Sequence, residues 1–286
     1  MTSPVAVLTD SCASIPDDLI EQLNIEVVSY YIHRGKEIIR DLVDMTREEF
    51  FGWLPTAKEL PKSATPGPGD YLTAFRRLAE RARGVVTVCM TSIGSGAYQA
   101  ATVAKEIAAS ELPDLRIEVI DTLQVAVCHG WSAIEAARAA LAGASLEKVA
   151  ETAREVARKS TMIQTADTLR YLYMGGRIGR ATHMVGTLLN IKPVIGMEEG
   201  VITPLGQARS RRQAYRKMVD IMADKVGLGA RIKIGYVHAI ALEEVEKLRR
   251  QVEPKFDCQE SYVTELSMAL GVHTGPGTVG LGFFPL

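Results

Sequence analysis

Val5 to Leu8 and Val85 to Met90 are unbroken apolar runs, and Arg116 to Ile120 is a third strand-length segment; each ends at a polar loop and precedes a helical pattern. Those patterns carry Leu19, Ile20 and Leu23 after the first run, about Ala97 to Ala109 after the second, and an alanine-rich stretch through Trp131 to Leu141 after the third. Unbroken apolar strands need cover on both faces, so this alternation predicts a parallel sheet between two layers of helices. Ile25 to Ile32 and Glu37 to Ile39 are further strands around Arg34-Gly35, and Thr46 with Glu49 forms a capping box for a helix holding Phe50 and Trp53. Pro55, Pro61, Pro66 and Pro68 then crowd one stretch, which excludes a helix or an interior strand there and leaves a linker or a functional lid. A helix near Tyr71 to Arg83 follows, and Ser145 caps the helix Leu146 to Arg158 that closes the unit.

Beyond Lys159 the texture changes. Strands are expected near Thr161 to Thr165, Lys192 to Met197, Val201 to Leu205, Arg231 to Val237 and Ser261 to Glu265, with a hairpin turn at Glu198-Glu199-Gly200. The reading is therefore an α/β chain of two domains: residues 1–158 built on a parallel sheet in an α/β/α arrangement, and residues 159–286 built on a mixed sheet. A length of 286 residues suits that division. Lys+Arg 33 against Asp+Glu 34 leaves a net charge of -1, so no global field gathers phosphate backbones, and nucleic acid is not an expected partner. No apolar run approaches the roughly 20 residues that span a bilayer, and Met1 to Asp10 lacks a basic-then-apolar leader, so a cytoplasmic protein is expected. Cys12, Cys89, Cys128 and Cys258 are scattered without a C-x-x-C and read as reduced thiols, with neither a zinc site nor a disulfide framework.

Ligands of parallel sheets bind outside the carboxyl ends of the strands. Three loops must gather there: Thr9-Asp10-Ser11, Thr91-Ser92-Ile93-Gly94-Ser95-Gly96 and Asp121-Thr122. Their hydroxyls and the free N–H groups at the helix start after Gly96 suit a carboxylate or phosphate; each Ser or Thr alone would equally serve as a cap. Gln99 stands where a dinucleotide fingerprint needs a small residue, and neither a P-loop nor a G-x-S-x-G elbow occurs. Asp167 to Gly179 reads as a short amphipathic helix stopped at Gly175-Gly176, which fixes Arg177 at a bend, either as a fork for a carboxylate or bonded to nearby carbonyls or Asp167. Gly271 to Gly277 places His273 in a glycine-rich turn ahead of the last strand. Arg209, Arg211, Arg212 and Arg216 open a helix running to about Val226, where positive charge opposes the helix dipole. They form either a solvated face paired with Asp220 and Asp224 or a docking patch for an acidic surface.

Thr9-Asp10-Ser11, Ser63-Ala64-Thr65-Pro66, Ser92-x-x-Ser95-Gly96-x-Tyr98-Gln99, Asp167-Thr168-Leu169 with Gly175-Gly176-Arg177-Ile178, Leu189-Asn190-Ile191-Lys192-Pro193 and His273-Thr274-Gly275-Pro276-Gly277, in this order, resemble the DegV family across the whole chain. Ala97 stands where the family often has Thr, and Ser63-Ala64-Thr65-Pro66 where it often has Ser-Gln-Pro. The resemblance implies a two-domain bacterial protein that binds a long-chain fatty acid, without a cofactor or catalysis of its own. Some members carry the acyl chain for a separate ATP-binding fatty acid kinase subunit. It further implies that Thr65, Ser92 and Ser95 hold the carboxylate, that Arg177 and His273 complete the polar network, and that Arg209, Arg211 and Arg212 face the kinase. The competing expectation is a Ser/His acyl hydrolase or transferase with Ser92 or Ser95 as nucleophile and His273 as base.

Overall fold

The computed structural model describes residues 4–187 and 191–286. In chain order its elements are β1 (Val5–Asp10), α1 (Asp17–Gln22), β2 (Glu26–Val28), β3 (Tyr31–Arg34), β4 (Glu37–Arg40), α2 (Arg47–Trp53), β5 (Lys62–Ala64), α3 (Pro68–Ala79) and β6 (Gly84–Cys89). There follow α4 (Ala97–Glu111), β7 (Arg116–Asp121), α5 (Ala126–Leu141), α6 (Leu146–Lys159), β8 (Thr161–Thr165) and α7 (Arg170–Met174). The rest comprises β9 (Lys192–Glu198), β10 (Val201–Ala208), α8 (Arg211–Val226), β11 (Arg231–His238), α9 (Leu242–Val252), β12 (Asp257–Glu265), α10 (Met268–Thr274) and β13 (Val279–Pro285).

The first sheet has four strands in the order β2-β1-β6-β7, all parallel. Every residue of β1 and β6 is buried. One face packs on α3 and α4 through Leu8, Phe75, Leu78 and Ala104, and the other on α5 and α6 through Val7, Val86, Ile134 and Val149. The second sheet has six strands, β10-β9-β8-β13-β11-β12, in which β11 and β12 alone are a parallel pair. This is the α/β chain of two domains, parallel then mixed. The hairpin between β9 and β10 turns at Glu199 (φ 50°) and Gly200 (φ 78°), the left-handed pair that a two-residue turn demands.

Three details depart from the sequence reading. A small antiparallel sheet, β4-β3-β5, stands beside the parallel one. Its strand β5 lies within the proline-rich stretch and is tolerated because it is short and pairs on one side only, through β3. Helix α3 starts at Pro68, not near Tyr71: a proline at the first helical position loses no hydrogen bond, and Asp70 accepts the Gly67 N–H at 2.7 Å.

Helix α5 joins the domains. It is buried on nearly all sides, as its run of alanines permits. Towards the parallel sheet, Gly130 lies against the Ala13 carbonyl, where a Cβ has no room. Towards the mixed sheet, Trp131 packs at a tilt on Tyr262 and edge-on to Phe284, with ring centroids 4.9 and 5.7 Å away. Lys233 bridges Glu135 of this helix and Glu260 of β12 at 2.8 and 3.1 Å.

Candidate ligand-binding site

A cavity of about 410 Å³ opens between the carboxyl edge of the parallel sheet and the mixed sheet, within the size range of small-molecule sites. Its body is apolar, walled by Met90, Val125, Met162, Leu172, Ile202 and Leu270. Its polar lining includes groups from the loop after β6, the end of β5, the bend after α7 and the last turn of α10, with Tyr30 and Gln164 beside them.

The loop after β6 supplies Thr91 and Ser95 to the lining. Thr91 Oγ1 donates to the Gly200 carbonyl at 3.1 Å, fastening the β9–β10 hairpin onto the other domain. Gly200 has no space for a Cβ, which would run into Thr91, Ile93 and Leu123. Ser95 Oγ accepts the Ala97 N–H at 3.2 Å and lies 2.6 Å from the hydroxyl of Tyr30. Ser92 is exposed and lies off the cavity wall; its N–H donates to Asp121 Oδ1 at 3.2 Å. Thr65, just past β5, lines the cavity beside Gly96.

His273 lies in the final turn of α10 rather than in a turn, because Gly271 continues the helix and packs against Phe51. Its Nε2 is 2.7 Å from Ser63 Oγ, and its Nδ1 has no hydrogen-bond partner. Burial, helped by the nearby Arg177 charge, holds the imidazole down at about 4, so it is neutral at pH 7. The serine–imidazole pair is therefore Ser63–His273, not one with Ser92 or Ser95, and no carboxylate orients the ring as an acyl-transfer base requires. Arg177 is exposed at the cavity rim and donates from Nη1 to the Gly175 carbonyl at 2.9 Å.

The basic cluster divides. Arg209 and Arg212 are exposed, but Arg211 is drawn inward, donating from Nη2 to Asp167 Oδ2 at 2.8 Å and to the Gly277 carbonyl at 2.6 Å. Asp167, shared with Lys192, is thus the partner of Arg211 and not of Arg177. Of the motif Leu189 to Pro193, Leu189 and Asn190 lie outside the described residues. Among the described residues no cluster of His, Cys, Asp and Glu could hold a metal ion, and no helix is long and apolar enough to cross a membrane.

Three contributors escape sequence reading. Tyr30 meets Ser95 across 65 positions, and Ser63 meets His273 across 210, so no local pattern announces either. Asp41 is fully buried, accepting from Ser11 Oγ at 2.7 Å and from the Met268 N–H at 3.0 Å, and so seats the start of α10.

Two sheets of different pairing, joined through a buried helix and enclosing an apolar cavity with a polar lining at one sheet's carboxyl edge, define a two-domain α/β protein with an interdomain ligand cavity. The family model described as an uncharacterised protein of the DegV family matches residues 4–286, and the chain belongs to that family. It is 30% identical over 279 residues to the DegV domain-containing protein TTE1491 of Caldanaerobacter subterraneus subsp. tengcongensis, covering 98% of each chain. Among solved structures, a DegV family protein from Thermus thermophilus described for its fatty acid binding superposes with a TM-score of 0.91 at 30% identity over 99% of both chains. A stearic acid-binding protein from Eubacterium ventriosum superposes at 0.86, with 26% identity over 98% of both.

Proposed function

We propose that this chain binds a long-chain fatty acid, its acyl chain in the interdomain cavity and its carboxylate at Thr65, Ser95, Arg177 and His273, and presents it to an ATP-binding fatty acid kinase partner. The carrying observation is the cavity itself, with an apolar body and hydroxyls, an imidazole and a guanidinium in its lining. The fatty acids bound by the Thermus thermophilus and Eubacterium ventriosum proteins support the same reading. Each buried methylene contributes about 0.8 kcal/mol, so a long chain gains on the order of 10 kcal/mol from the apolar body alone. The polar groups then need only fix the head. Ser92, off the wall, is given no direct contact, and its carboxylate role passes to Ser95. Arg209 and Arg212 remain as the exposed face offered to the kinase, while Arg211 is a structural ion pair.

Denaturing the purified protein and extracting it for mass spectrometry should release fatty acid near one per chain. Repeatedly empty extracts from protein made in lipid-containing cells would remove the proposal. Hydrolysis of acyl esters that vanishes in Ser63→Ala would instead establish an acyl-transfer enzyme.

A further inference from the structure

Tyr30 lies between β2 and β3 and is only 4% exposed, yet its hydroxyl reaches the cavity wall. Its main chain is held by a buried polar chain: the Tyr30 N–H donates to Ser11 Oγ at 3.0 Å, and Ser11 Oγ donates to Asp41 Oδ2 at 2.7 Å. The phenol oxygen then sits 2.6 Å from Ser95 Oγ, which also accepts the Ala97 N–H.

Proton counting gives this pair a specific property. Two hydroxyls carry two protons, and one of them occupies the bond between the oxygens. When Tyr30 donates, both acceptor positions of Ser95 Oγ are filled, by the phenol and by Ala97, so the Ser95 proton must find its acceptor elsewhere. When Ser95 donates, the phenol proton is the one left over. Either way the pair offers one O–H without a protein acceptor, and both residues line the cavity. Burial keeps the phenol protonated by pushing its titration well above the ordinary tyrosine range. An unpaired Ser95 hydroxyl would rotate freely; a paired one is aimed.

We infer that Tyr30 is a positioning residue for the ligand head group, locking Ser95 so that the pair presents a single fixed O–H donor to an anionic oxygen in the cavity. This inference takes the identity of the ligand from the fatty-acid reading above. It adds a selectivity the apolar body cannot supply, because a hydrogen bond to a carboxylate is about twice as strong as one to a neutral ester oxygen.

The test is equilibrium binding of palmitate and of methyl palmitate to delipidated parent protein, Tyr30→Phe, Ser95→Ala and the double variant, with thermal melts in parallel. Phenylalanine keeps the ring and deletes only the hydroxyl. Tyr30→Phe leaves Ser95 its O–H but no longer aims it, so palmitate should weaken by about tenfold, the cost of a misdirected charge-assisted bond, and methyl palmitate should change by less than about threefold. Because the two hydroxyls act as a unit, the double variant should bind palmitate within about twofold of Ser95→Ala. Unchanged palmitate affinity in Tyr30→Phe, equal losses for acid and ester, or fully additive losses in the double variant overturn the inference while leaving the fatty-acid reading standing. A parent protein that binds neither ligand overturns both.

Discussion

Replacing Asp41 by Asn tests the buried carboxylate that seats α10. The side chain is 0% exposed, and burial raises its carboxyl from 3.8 to about 6, against the lowering pull of Ser11 and the Met268 and Ala269 N–H groups. Between those two pH values the folded protein holds a proton that the unfolded chain has released, so the Asp41 contribution to stability falls as pH rises through the window. At about 1.4 kcal/mol per tenfold in proton affinity, the penalty for the ionised form reaches about 3 kcal/mol above pH 6. Asparagine keeps an acceptor for the backbone N–H groups and carries no charge, so it escapes that penalty. It turns an amide donor towards Ser11, displacing that hydroxyl's proton from its partner, at a cost of about 1 kcal/mol that does not vary with pH. Urea unfolding of both proteins, followed by far-ultraviolet circular dichroism from pH 4 to pH 8, reads the difference directly. The variant should gain on the parent by about 2 to 2.5 kcal/mol between pH 4 and pH 7, since part of the penalty is already present at pH 4. A difference that stays constant across that range, or moves the other way, refutes the account of Asp41 as an ionised group held in a dry site.

His273 should titrate near 4 by nuclear magnetic resonance of its ring protons, and in Arg177→Ala its midpoint should rise, because a nearby positive charge has gone. Gly200→Ala should destabilise the protein by about 1 to 2 kcal/mol for the left-handed backbone alone, with more from the collision with Thr91, and should speed ligand release by lifting the hairpin; thermal melts and stopped-flow dissociation measure the two effects. Arg211→Ala should lower the melting temperature because it takes the donor from the Gly277 carbonyl and leaves Asp167 with Lys192 alone, whereas Arg209→Ala with Arg212→Ala should leave melting and fatty acid binding unchanged and slow acyl-phosphate formation with the proposed kinase partner.

The elements legible in the sequence are those whose burial is uniform along the element. β1 and β6 are buried at every position and so read as mostly apolar runs, broken only by Thr87 and by the closing Thr9-Asp10, and α6 shows a plain apolar face with a serine cap. The Glu199-Gly200 turn is legible because its backbone demands a glycine. Helix α10 is not, since Gly271 and Gly275 resemble a loop until Phe51 is seen to occupy the space that a Cβ at Gly271 would need. The same limit governs the site. Ser95 is visible because a helix start follows it, and Arg177 because two glycines fix its bend. Which serine meets the imidazole depends on α10 and β5 lying side by side, a contact spanning 210 positions that only the assembled domains create.

The seat of α10 links these observations. Its first turn is held by Asp41, its last by the Ser63–His273 hydrogen bond, and both partners come from the half of the chain that carries the parallel sheet. The helix itself precedes the last strand of the mixed sheet and lines the cavity with Ala269, Leu270 and His273. Closure of the cavity on that side therefore depends on two buried polar contacts across the domains. Acid acts on them in opposite senses. Asp41 takes up its proton near 6 and thereby favours the folded state, whereas His273 resists protonation until about 4, while an unfolded histidine accepts it near 6.5. From pH 6 down to pH 4 the stability gained through Asp41 at one end of the helix therefore offsets stability lost through His273 at the other, and the variants Asp41→Asn and His273→Asn should each uncover the pH dependence that the pair conceals.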